Sequence, residues 1–141
     1  HPISTPPQYN KEIIDNRKRI SADNCVVDYA FYGAAGGQYP EEIVPLSKEG
    51  IVAYKSFLHQ APAGREGEFV GLTLANDAEI MTGMREIAKT GLMMASHAEN
   101  NDMIVHNLGV PCQGMDEAHR SLQVSPRHYR VFNGFQAYSD G

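Results

Sequence analysis

The 141-residue chain has little that would tie it to a nucleic acid or to a membrane. Its 12 Lys and Arg against 17 Asp and Glu leave a formal charge of −5 with the signs mixed along the chain, so no basic patch or basic aromatic stripe is there to follow a phosphate backbone. No apolar run approaches the ~20 residues that span a bilayer, and no charged segment followed by an apolar one opens the chain as a secretory signal would. The expectation is a cytoplasmic protein with neither nucleic acid nor membrane as partner. Cysteine is scarce: Cys25 and Cys112 lie far apart and fit neither a disulfide framework nor a zinc ribbon, so both are expected as reduced, partly buried thiols. An initiator methionine is lacking too. The chain starts His1-Pro-Ile-Ser-Thr-Pro-Pro7, an extended proline loop, and is expected to be an internal stretch of a longer polypeptide.

What is present is an ordinary globular composition, 42% hydrophobic and 21% charged, in a chain long enough for one core. Helical spacing is expected over residues 10–20, and the apolar run Cys25-Val-Val-Asp-Tyr-Ala-Phe-Tyr32 reads as a strand. Gly33-Ala-Ala-Gly-Gly37 ends it without the G-x-G-x-x-G spacing of a dinucleotide site. Pro40-Glu-Glu42 opens a helix that Pro45 kinks or shortens and Gly50 closes. A strand over 51–58, a long loop over 59–74 and a helix capped by Asn76 follow, the last with Ile80, Met84, Ile87 and Ala88 as its apolar stripe and Gly91 beyond its end. Residues 92–97 form a third strand and 100–108 a short helix. This alternation gives an α/β class with parallel strands and outer helices, either a small open sheet or a segment of a (β/α)8 barrel.

One residue does not suit its surroundings. In Ile51-Val-Ala-Tyr-Lys-Ser-Phe-Leu58 seven residues favour a buried strand and the eighth is Lys55, whose ammonium is costly to bury unpaired. Alternation puts Ile51, Ala53, Lys55 and Phe57 on one strand face and Met93, Ala95 and His97 on one face of the next, so Lys55 and His97 stand near the carboxyl ends of successive strands, where α/β folds bind ligands. Taken singly, the lysine would snorkel to solvent and the histidine would be a satisfied core or surface residue.

Taken with Lys89-Thr-Gly-Leu92 between them, the strings Ala53-Tyr-Lys-Ser-Phe57 and Ser96-His-Ala-Glu-Asn100 resemble the cyclic amidohydrolases, the group of allantoinase, dihydroorotase and hydantoinase, and are most similar to the allantoinase branch. The resemblance runs from Pro2-Ile-Ser-Thr-Pro-Pro7, similar to the family's loop after the second barrel strand, to about Leu108. It covers roughly three quarters of the chain.

The resemblance implies that residues 1–141 are part of a catalytic barrel, from about the loop after the second strand to the helix after the fifth, with 123–141 as a divergent tail. It implies that Lys55 is carbamylated and bridges two divalent metal ions, expected to be zinc, and that His97 binds one of them; both residues are thereby catalytic. The implied reaction is hydrolysis of a cyclic amide in a small ureide or amide substrate, with allantoin-type rings ahead of dihydroorotate, in a full-length protein expected to be a homo-oligomer. Glu99 and Asn100 either support the ligands or open the following helix, and Arg65 in the long loop is a recognition group or a surface charge. The family's paired histidines, its histidine after the sixth strand and its aspartate after the eighth have no counterparts here. Asp28, His59, His106 and His119 stand outside the matching motifs and are given no metal role. The alternatives are dihydroorotase or hydantoinase specificity, a noncatalytic hydantoinase-like scaffold protein, against which retention of Lys55 and His97 counts, and a stand-alone α/β binding module.

Overall fold

Asn10 starts the first helix by accepting the Ile13 backbone N–H on its side chain (3.0 Å), and the helix, α1, runs Lys11–Asn24. It outlasts the expected end at Ile20 because Ser21, Ala22 and Asp23 contain no breaker and the Asn24 amide donates back to the Ile20 carbonyl (2.7 Å). The computed structural model describes residues 3–108. They fall into two units, one up to His97 and one from Ala98 on.

In the first unit β1 (Tyr32–Ala34) is followed by α2 (Pro40–Leu46) and a 3-10 turn (Ser47–Glu49), β2 (Ala53–Phe57), α3 (Glu66–Phe69), α4 (Asp77–Ala88) and β3 (Met93–His97). The strands lie in the order β1-β2-β3 and all pairs are parallel, with Tyr32 opposite Ala53 and Ala53 opposite Met93. The α/β class with parallel strands stands. The strand expected over 25–32 does not form: only Tyr32 joins β1, and Val26 and Val27 are 98% and 73% exposed. Gly50 turns the chain at φ 74 into β2, whose first bond to this region is Val52 N–H to the Phe31 carbonyl, so the apolar residues upstream have no ladder to join. Cys25, expected to be partly buried, is exposed on this same segment.

Alternation along β2 separates two environments. Tyr54 faces a layer built by Ile14 of α1, Ile43 and Leu46 of α2 and Ile87 of α4. Phe57 and Ala34 face Phe69 and Leu72, with Ile3, Tyr9 and Ala61 around them. Helices α1, α2 and α4 therefore cover one side of the sheet, and the loop that carries α3 covers the other. In α4 Asn76 accepts the Glu79 N–H and Glu79 accepts that of Ala75, the expected capping pair. Its inner face is narrower than the sequence pattern: Gly83 and Ile87 are buried while Met84 and Ala88 point outward, because bare Gly83 lets Leu74 approach the helix. The glycine run after β1 has a packing purpose of the same sort. A Cβ on Gly36 would stand 2.5 Å from the Gly71 carbonyl carbon, so two backbones pass where no side chain fits.

The second unit contains α5 (Asn101–Leu108), which Asn100 caps by accepting the Met103 N–H (2.9 Å).

Candidate active site

The register puts Lys55 opposite Ala95 and Phe57 opposite His97, so Lys55, Phe57 and His97 share one face, the one away from α1, α2 and α4. Parallel strands spaced about 4.8 Å with a rise of about 3.3 Å per residue set the Lys55 and His97 backbones roughly 8 Å apart on the diagonal, within reach of a lysine. Both side chains contact the Phe57 ring. The Lys55 Nζ is 4.6 Å from the centre of its ring, and the His97 imidazole stacks on it at 4.9 Å with 29° between planes. The β2–β3 contact continues past the ladder, since the Leu58 N–H donates to the His97 carbonyl (3.0 Å).

The loop over 59–74 folds back on the end of β2 and is more ordered than a long connection need be. Phe57 N–H donates to the Leu72 carbonyl (3.0 Å) and Leu74 N–H to the Phe57 carbonyl (2.8 Å), a parallel bridge that holds Thr73 beside β2. α3 then sets Phe69 edge-on to Phe57 (5.2 Å, 75°). Arg65, expected as either a recognition group or a surface charge, leans over the Phe69 ring at 5.6 Å and gives its Nε and Nη2 to Glu68. That pairing lowers the Glu68 pKa and raises that of Arg65, so the guanidinium is engaged within its own turn. Glu66 is lowered by the N–H donors of its own backbone and of Gly64.

His59 was set aside on the sequence, yet it is buried within this cluster. Its ring meets Phe57 at 5.5 Å and 76°, Phe69 at 5.8 Å and His97 at 6.4 Å. The signal was the strand period itself, which continues from Lys55 and Phe57 to residue 59. Asp28 is exposed on the segment before β1, and Asn100 serves α5 as a helix cap. His106 is exposed in the last turn of α5; His119, Cys112 and the tail over 123–141 lie outside the described residues.

Among the described residues no three His, Cys, Asp or Glu side chains gather as a metal-ligand group. A carbamylated Lys55 would add an anionic oxygen donor beside the His97 imidazole, a pair whose chemistry suits zinc and fills part of a ligand set.

The search of characterised proteins returned allantoinases. That of Bacillus licheniformis is 35% identical over 102 residues, spanning 67% of this chain and 21% of the relative; that of Deinococcus radiodurans is 25% identical over 99 residues, spanning 70% and 21%. This chain is related to the cyclic amidohydrolases. It spans about a fifth of the length of these allantoinases. An L-hydantoinase of Paenarthrobacter aurescens is 27% identical over 103 residues, 73% of this chain and 21% of that protein. Among solved structures, the L-hydantoinase (dihydropyrimidinase) of Arthrobacter aurescens superposes with a TM-score of 0.69 at 22% identity, over 96% of this chain and 29% of that one, a likeness of fold. No protein-family profile matches the chain.

Proposed function

We propose that this chain supplies one side of a metal-dependent active site that hydrolyses a cyclic amide, as consecutive βα units of a (β/α)8 barrel. The observation that carries the proposal is Lys55, mid-way along β2 rather than at its expected carboxyl end, and His97, the last residue of β3, on one face of adjacent parallel strands, both touching Phe57. The neutral amine form of Lys55 attacks carbon dioxide: an N–C bond forms, one C–O π bond opens onto oxygen, and one N–H proton of the attacking nitrogen leaves to solvent. The resulting carbamate and the His97 imidazole would hold divalent ions, zinc by their donor chemistry. Bound there, the ions supply Lewis acidity for the scissile carbonyl and lower the pKa of water. In the net reaction water adds across the ring C–N bond, the carbonyl carbon gaining OH and the departing nitrogen a proton.

Within that reaction Lys55 and His97 hold the centre. Phe57, Phe69 and Leu72 form an apolar wall that excludes water from one side of it. The relatives point to rings of the allantoin and hydantoin kind as substrates. Turnover of allantoin, dihydroorotate and a 5-substituted hydantoin by the zinc-loaded full-length protein tests the choice, with allantoin expected to lead in kcat/KM. A preference for dihydroorotate of about tenfold or more, about 1.4 kcal/mol, would overturn the substrate and leave the metal reading standing.

A further inference from the structure

We infer that His59 is a positioning residue for His97, fixing the plane of that imidazole through the Phe57 ring; the inference rests on the proposed ligand role of His97. His59 is only 7% exposed, with its ring against those of Phe57 and Phe69. A polar ring in such a place must be hydrogen-bonded to be tolerated. Its Nδ1 lies 2.6 Å from the Gln60 carbonyl oxygen. A carbonyl only accepts, so Nδ1 carries the proton and the ring is pinned in rotation as well as position.

That pinned ring stands edge-on against Phe57 (5.5 Å, 76°), with Phe69 edge-on to the same ring (5.2 Å, 75°). Phe57 is thereby held by two rings that also meet each other (5.8 Å). Among the described residues its third aromatic neighbour is His97, stacked at 4.9 Å and 29°, so the tilt of Phe57 sets the tilt of His97. Ligating histidines need a fixed ring orientation, which a neighbour usually supplies. A phenylalanine at 59 would fill the volume but could not be pinned by Gln60, and an asparagine could be pinned but would offer no ring edge.

The test uses the full-length protein loaded with cobalt(II) in place of zinc, read by visible absorption and by cobalt affinity, with thermal melting as the control for fold. His59→Phe and His59→Asn are each expected to shift the cobalt bands and to weaken binding by about tenfold, while Phe keeps the melting temperature near that of the unaltered protein. Either variant suffices if the other fails to fold. Unchanged bands and affinity in a folded His59 variant, with both lost in His97→Ala, overturn the positioning role and leave the ligand role intact. Unchanged bands and affinity in His97→Ala overturn the ligand role and the positioning role together.

Discussion

Tyr54 shows how a single side chain reports on the helix-covered side of the sheet. It is fully buried, and its hydroxyl donates to the Ile43 carbonyl in α2. Burial pushes its pKa above the usual 10.0, since the phenolate would lose its hydration. With the folded value above the unfolded one, the neutral ring's contribution is complete below about pH 10 and is lost as pH rises through the folded value. We predict that Tyr54→Phe costs about 1 kcal/mol at neutral pH, the worth of a buried hydrogen bond, and flattens the fall of stability at alkaline pH. Urea unfolding at about pH 8 and about pH 11 checks this, and parallel losses in both proteins would contradict it. The site was legible in part at this scale. Lys55 stands out because a charge interrupts an apolar strand, whereas His59 does not, because the strand is expected to end at Leu58 and the inward period is legible at residue 59 only once the loop is seen to fold back on it.

At the scale of elements, capping chemistry is local and so readable at Asn76, the one cap expected from the sequence; Asn10 and Asn100, expected only as helix starts, prove to be caps as well. Asn10, Asn76 and Asn100 all open helices by accepting an N–H from the first turn. Asn76→Ala is expected to destabilise the first unit by about 1 kcal/mol, with Asn76→Gly costing only a few tenths, measurable by denaturant midpoints. Equal costs for the two would mean that the side chain does not act as a cap. The 25–32 run was misread because strand propensity is realised only against a partner, and the partner strand starts at Ala53. The glycines after β1 were read only by exclusion. Gly36→Ala should be strongly destabilising, by more than about 1 kcal/mol, because the added methyl meets backbone that cannot step aside, while Gly67→Ala, which meets nothing within 4 Å, should not. Comparable melting temperatures for the two would contradict the close approach.

For the molecule as a whole, the parallel alternation was legible from the spacing of strands and helices, and barrel closure was not, since closure depends on strands that three βα units do not contain. Among the described residues the outer edges of β1 and β3 have no further strand, and Met93 on β3 is 76% exposed. An apolar edge of this kind invites association. The 141-residue chain alone is therefore expected to self-associate in gel filtration and to show no turnover with zinc, whereas a monodisperse monomer with robust activity would mean that the ligand set is complete within it. Whether Lys55 becomes a carbamate ligand beside His97 is read by carbon-13 NMR of the zinc-loaded full-length protein equilibrated with labelled bicarbonate. A carbamate resonance is expected, and it should disappear, together with bound zinc, in Lys55→Ala. Stoichiometric zinc with no carbamate resonance, or one that persists in Lys55→Ala, would contradict a carbamate ligand at Lys55.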